Sequence, residues 1–272
     1  MKQRIITGAL LILLLVVMLC LPGWCMALAT LISIAFAVWE EYHALTLAGH
    51  RVVSWPTWVF LGASIPLTLF FGAKVMVPLL SVTLFITLTV ILFREEPKLE
   101  DLSMSALPLL TVQLPGLCLV AMSMVSQKAV EVVLLSLTFA VPLTGDMAAL
   151  FAGKAIGGPK FCPAVSPKKT IAGSIGGLVG SMAAAMIVCA IAGMSCNAQT
   201  LAKLPAWWEY LLLGLAGGAV GQIGDLFASL VKRHSGIKDF SNLFPGHGGM
   251  LDRLDSVLFM AVLMYCYLLF AA

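Results

Sequence analysis

The chain has 272 residues, of which 61% are Ala, Val, Ile, Leu, Met, Phe, Trp, Tyr or Cys and 11% are charged, with a formal net charge of +3 and a mean hydropathy of +1.03. Soluble domains carry charge on about a quarter of their residues, and a globular chain of this length could not bury so much apolar surface. Soluble enzymes, disordered chains and nucleic-acid binders with basic patches are excluded, and the unit to look for is a bilayer-spanning helix of about 20 residues.

Lys2 and Arg4 precede an apolar run from Ile5 to Trp39, too long for one crossing, which Pro22-Gly23 divides into two helices. Ala27-Leu28-Ala29 has the small-residue pattern of a secretory cleavage site. The apolar run continues beyond it, so we expect a second span there and no cleavage. Further apolar runs follow at Trp55–Gly72, Val75–Phe93, Met104–Val125 and Val130–Ala152, then Ile171–Ala192, Trp207–Val231 and Leu254–Ala271. None alternates with period two as barrel strands do, and backbone groups in lipid must be satisfied within a helix or a closed barrel. The expected fold class is all-α, a polytopic integral membrane helical bundle of about nine transmembrane helices with a cytoplasmic N-terminus. Residues 1–130 would supply about five N-terminal spans. Residues 131–272 would form a C-terminal catalytic region with two cytoplasmic loops, 153–170 and 232–253.

Orientation follows from the basic residues. With the N-terminus inside, thirteen of the sixteen Lys and Arg fall on the cytoplasmic side and only Lys74, Lys128 and Lys203 outside, as the positive-inside rule requires. Eight of the thirteen lie in the two long segments: Lys154, Lys160, Lys168, Lys169, Lys232, Arg233, Lys238 and Arg253. Orientation and attraction to anionic lipid headgroups account for such cations, but not for the acids near them. The seven cysteines show no CxxC or metal-type spacing, and we expect no function for them. His43, His234 and the Glu40-Glu41 pair read as interfacial polar residues.

Asp225 falls within the span Trp207–Val231, where an ionisable group is costly and marks a functional site unless it merely pairs with a buried cation. Asp225, Ser229 and Lys232 are spaced to share one helical face. Asp146 follows Pro142 and Gly145, which should kink or open its helix. Asp252 and Asp255 are i, i+3 neighbours on a helix expected to begin near Gly249. There the helix dipole would favour an acid whether or not it has a function. Carboxylates without cysteine suit a hard ion such as Mg2+, and cations around them suit phosphates, which together are the parts of a phosphoryl or nucleotidyl transfer site. Gly246, Gly248 and Gly249 would let backbone amides approach phosphate oxygens. His247 would act as an acid or base, or as a hydrogen-bond donor to phosphate. The glycine pairs Gly173/Gly177, Gly176/Gly180, Gly214/Gly218 and Gly217/Gly221 have small-xxx-small spacing, fitting close packing within the chain more readily than a dimer seam.

The stretch from Ser229 to Asp255 carries Lys232-Arg233, Lys238-Asp239 and Pro245-Gly246-His247-Gly248-Gly249-Met250-Leu251-Asp252-Arg253-Leu254-Asp255. Over these 27 residues it resembles the signature of the phosphatidate cytidylyltransferases, the CDP-diacylglycerol synthases. Ser166-Pro167-Lys168-Lys169-Thr170 with Gly173, and Asp146 with Ala149 and Gly153, are similar to that family too. Ala172 stands where the family pattern has Glu, and Met147 and Leu150 replace a hydroxyl residue and a Tyr after Asp146. The first five or so spans match only in being apolar.

The resemblance implies transfer of CMP from CTP to phosphatidic acid, giving CDP-diacylglycerol and pyrophosphate, with Mg2+ and a second, monovalent cation such as K+. It implies a homodimer; with the composition and the placement of Lys and Arg, we expect the cell (inner) membrane, an active site facing the cytoplasm among membrane lipids, and no nucleic-acid partner. Asp225, Asp252, Lys232 and His247 would be catalytic, and Asp225, Asp252, Asp255 and Asp146 would hold metal. Ser229, Arg233, Lys238, Asp239, Gly248, Gly249, Arg253, Lys168, Lys169 and Ser166 would bind substrate. Two other readings stay open: a CTP-dependent lipid kinase with similar cations and metal, and an ion-coupled transporter using Asp146 and Asp225.

Overall fold

The computed structural model describes residues 2–71, 75–246 and 248–271; Gly72, Lys74 and His247 lie outside them. Apolar runs become helices because, in a chain with so few polar partners, a helix satisfies every backbone group within the segment. They are α1 (Lys2–Cys20), α2 (Gly23–Leu47), α3 (Trp55–Phe71), α4 (Met76–Leu92), α5 (Leu99–Pro108), α6 (Leu114–Ser123), α7 (Lys128–Ala155), α8 (Ile171–Ser195), the short α9 (Ala198–Leu201), α10 (Trp207–His234) and α11 (Leu251–Ala271). A π turn, Leu109–Gln113, joins α5 to α6. Pro108 and Pro115 flank that turn, and each withdraws an N–H from the helical ladder.

Among the described residues, six helices are long and apolar enough to cross a bilayer: Gly23–Leu47, Leu99–Ser123, Lys128–Ala155, Ile171–Ser195, Trp207–His234 and Leu251–Phe270. Gly8–Cys20 and Pro78–Leu92 are shorter apolar helices. The fold is nearly, not wholly, all-α, because β1 (Lys160–Cys162) and β2 (Ser166–Thr170) pair as an antiparallel hairpin between α7 and α8. Large apolar side chains such as Ile175, Val179, Ile187, Leu212 and Phe270 face outward, as they would toward lipid. Inside, Val141, Ala185, Tyr210, Leu258, Met260 and Met264 form part of one continuous core.

The most extensive packing is α7 on α8, followed by α8 on α10 and α10 on α11. It is built on glycine. A Cβ on Gly176 or Gly180 would lie 2.3 Å from a methyl group of Ala152 or Ala148 on α7, and one on Gly214 would lie 2.8 Å from the α8 backbone at Met182. The small-xxx-small spacing therefore serves contacts within the chain. The helix expected to open at Pro142 runs without interruption from Lys128 to Ala155. Ser181 on α8 donates a hydrogen bond to the Val141 carbonyl at 3.0 Å, and Gly145 lets α8 close against that turn.

Helix ends and loops meet at one end of the bundle. There Asp101 at the start of α5 accepts from the Arg51 amide at 3.0 Å and lies 3.5 Å from the Arg94 guanidinium. His50, after α2, shares a 2.8 Å hydrogen bond with His234 at the end of α10. At the opposite end Lys128 donates to the Leu21 carbonyl at 2.6 Å and pairs with Glu131 at 2.9 Å.

Candidate active site

The C-terminal ends of α7 and α10 and the N-terminal ends of α8 and α11 converge at the first of these ends. The β hairpin delivers β2 directly into α8, whose start is fixed by Thr170: its hydroxyl accepts from the Gly173 amide at 3.1 Å as a helix cap. This places Lys169, one residue earlier, against α10, where its ammonium pairs with Asp225. One helical turn from Asp225 toward the N-terminus of α10, Gln222 clasps α8 by donating to the Ser174 carbonyl at 3.0 Å and accepting from its hydroxyl.

On α11, Asp255 accepts from the Ser256 amide at 2.7 Å, and the Ser256 hydroxyl lies 3.1 Å from both Asp255 and Asp146 of α7. Asp146 and Asp255 each interact electrostatically with Asp225 and with one another. Three carboxylates from three helices therefore share one locality, attended by Lys169, Lys232 and Arg253.

Asp252 faces elsewhere. Its Oδ1 pairs with Lys232 at 2.5 Å, while Oδ2 accepts from the Phe240 amide at 2.8 Å and the Gly249 amide at 2.9 Å. Lys232 also lies 5.3 Å from the centre of the Phe240 ring, a cation–π contact. Gly248 has φ +83°, and a Cβ there would stand 2.7 Å from the Asp252 carboxylate. Glycine is required by both conformation and space. Although i, i+3 spacing makes Asp252 and Asp255 neighbours, the helix begins at Leu251. Asp252 in its first turn therefore reaches back to the loop, while Asp255 faces α7 and α10.

A cavity of about 10 Å3 behind Asp255 is lined by residues including Glu41, Thr111, Phe227, Phe240 and Phe259. It has room for about one water. A groove of about 370 Å3 lies apart from the acids, between α2 and α3 at Ala35, Phe36, Trp39 and Trp58.

Compared with known proteins, the sequence matches the model of the Cytidylyltransferase family over residues 2–271. The chain belongs to this family. It is 43% identical over 129 residues to the phosphatidate cytidylyltransferase of Brucella suis biovar 1 (strain 1330), covering 47% of this chain and 44% of that one. It is 43% identical over 121 residues to that of Bacillus subtilis (strain 168), covering 44% and 41%. With that of Synechocystis sp. (strain ATCC 27184 / PCC 6803 / Kazusa) it is 38% identical over 139 residues, covering 48% and 41%. The match thus spans less than half the length of each relative.

Within this member of the family the expected binding residues are unevenly placed. Lys169 and Lys232 are held by acids. Arg233, Lys238, Asp239, Arg253 and Lys168 are exposed, and Ser166 and Ser229 are half-buried. Expected ligands Asp225, Asp146 and Asp255 come together, Asp252 serves the loop, and His247 is outside the described residues. Hard carboxylate oxygens are the right donors for Mg2+, the cofactor the sequence implies. Among the described residues no group of three or more His, Cys, Asp or Glu side chains stands so as to hold a metal ion by itself. Mg2+ does not require one, because it is ordinarily held by one or two carboxylates together with waters and substrate phosphates. The residues fit the ion on those terms.

Sequence reasoning missed Glu40 and Glu41. Both are buried on α2, at 1% and 0% exposure. Glu41 is hydrogen-bonded with Thr111 at 2.9 and 3.1 Å. The signal was the apolar pattern Tyr42, Ala44, Leu45, Leu47 beyond the acids, which carries α2 on to Leu47. Ser256, Phe240 and Gln222 carried no signal, because a single hydroxyl, ring or amide in an apolar helix or loop has no distinguishing pattern.

Proposed function

We propose that the chain transfers the cytidylyl group of CTP to phosphatidic acid, forming CDP-diacylglycerol and releasing pyrophosphate. The observation that carries this reading is the convergence of Asp146, Asp225 and Asp255 with two lysine–carboxylate pairs, Lys169–Asp225 and Lys232–Asp252, beside a glycine-rich loop. Membership of the cytidylyltransferase family and the names of the relatives support it.

In this reading a phosphate oxygen of phosphatidic acid attacks the α-phosphorus of CTP. A new P–O bond forms as the bond from that phosphorus to the pyrophosphate oxygen breaks, and pyrophosphate leaves with the electron pair. Phosphatidate is already ionised at neutral pH, so positioning and charge stabilisation supply the catalysis and no strong base is needed. Lys169 and Lys232 stand where they can exchange an acid for a phosphate, and Arg233, Lys238, Arg253 and Lys168 extend the positive field outward. Mg2+ when bound would neutralise charge on the transferred and leaving phosphates, and one or two of the carboxylates Asp225, Asp146 and Asp255 would hold it. Asp252 would order the loop and Lys232. A second, monovalent cation and a homodimer complete the proposal.

The arrangement that fits this chemistry is nine spans with the N-terminus in the cytoplasm. α1, α3 and α4 would then cross together with the six longer helices, and the site would open toward cytosolic CTP while the lipid tails stay between helices. The asymmetry of Lys and Arg supports it. Membranes containing the protein should convert CTP and phosphatidate to a CDP-lipid when Mg2+ is present and stop when it is chelated. Undiminished turnover after chelation removes the metal from the proposal.

A further inference from the structure

Glu40 lies near the C-terminal end of α2, far in sequence from the motif residues, and is 1% exposed. A carboxylate so buried persists only where hydrogen bonds replace water. Its Oε1 accepts from the Ser241 hydroxyl at 2.6 Å and from the Met250 amide at 2.9 Å, and its Oε2 accepts from the Leu251 amide at 2.7 Å. Met250 and Leu251 open α11, where amides have no partner inside the helix and negative charge is favoured by the helix dipole. The carboxylate also lies against the loop itself. A Cβ on Gly249 would stand 2.5–2.6 Å from the Glu40 carboxyl atoms, so a side chain there would displace the carboxylate from the loop.

Two carboxylates thus hold the loop between α10 and α11. Asp252 joins Phe240 to Gly249 from within α11, and Glu40 joins Ser241 to Met250 and Leu251 from α2. An ordinary helix cap comes from a residue just before the helix. Here it comes from 210 residues earlier in the chain, tying the N-terminal helices to the segment with the proposed phosphate-binding glycines.

We propose that Glu40 is a positioning residue for the cytidylyl-transfer site: it closes the loop Phe240–Leu251 into the shape that receives the CTP phosphates, without touching substrate itself. This rests on the function proposed above. The N-terminal half is then part of the site's construction and more than a membrane anchor.

The test uses the full chain in detergent, comparing wild type with Glu40→Ala and Glu40→Gln by hydrogen exchange across the loop and by kcat and KM for CTP. In Glu40→Ala we expect exchange at the Met250 and Leu251 amides to quicken, and KM for CTP to rise at least tenfold with a smaller change in kcat. Glu40→Gln keeps the shape and one acceptor oxygen and should recover most of both. A folded Glu40→Ala with wild-type exchange at those amides and wild-type KM overturns the proposal, because a residue that only stabilises the fold leaves the surviving molecules kinetically normal. Should Glu40→Ala not fold, Glu40→Asp, whose shorter side chain draws the carboxylate back from the Met250 and Leu251 amides, makes the same comparison, and unchanged exchange and KM there overturn it equally. If the wild type consumes no CTP, the functional reading fails separately, and the exchange data still decide whether Glu40 holds the loop.

Discussion

Lys169 and Lys232 each stand against a carboxylate, but in different surroundings. The side chains of Lys232 and Asp252 are 12% and 3% exposed, whereas those of Lys169 and Asp225 are 28% and 26% exposed. Removing one partner of a buried pair leaves an uncompensated charge, at a cost of about 3–5 kcal/mol, and a pair partly open to water costs less because water screens the charge left behind. Lys232→Met should therefore lower the unfolding temperature in detergent substantially, and Lys169→Met should lower it by less. Both should lose activity; equal thermal shifts would contradict the different surroundings assigned to the two pairs. Asp225→Asn keeps the size of the side chain and removes its charge from the acid cluster. It should insert into membranes normally and lose turnover by roughly 100-fold or more, the scale seen when a group stabilising transition-state charge is removed. Full activity in that variant takes Asp225 out of the site.

Among the elements, α7 and α8 carry the site's geometry because glycines let them approach so closely. Gly180→Leu places its first carbon 2.3 Å from the Ala148 methyl group and must push α8 off α7, with overpacking costing about 1–3 kcal/mol or more. Gly193 on the same helix has nothing within 4 Å, so Gly193→Leu serves as the control and should be close to neutral. Thermal unfolding and turnover of the two variants should diverge; equal behaviour would mean that the seam does not support the site. Most helices were legible in the sequence because apolar runs bounded by charge have one solution in lipid. The apolar run stops at Trp39 because Glu40-Glu41 interrupts it, whereas both acids are buried and the helix continues to Leu47. The β hairpin escaped notice because Lys160–Cys162 and Ser166–Thr170 are too short to display an alternating pattern. The motif from Ser229 to Asp255 was readable as chemistry. The division of labour between Asp252 and Asp255 was not, since it depends on the helix beginning at Leu251 and on an acid contributed by α2.

Across the whole molecule, a chain with 11% charge gathers much of that charge at one end of its helices, as the proposed transfer between a water-soluble nucleotide and a lipid requires. The proposed orientation predicts that a thiol reporter in Asn242→Cys is reached by a membrane-impermeant reagent from the cytoplasmic side. One in Gln199→Cys should be reached only from the other side, with the native cysteines replaced in both; the reverse pattern inverts the topology. The central claim is the identity of the group transferred, and it is tested most directly by supplying phosphatidic acid, Mg2+ and CTP labelled on either its α- or its γ-phosphate. The account predicts that the α label appears in the lipid and the γ label in pyrophosphate. A γ label in the lipid with release of CDP would make the protein a lipid kinase and contradict the account.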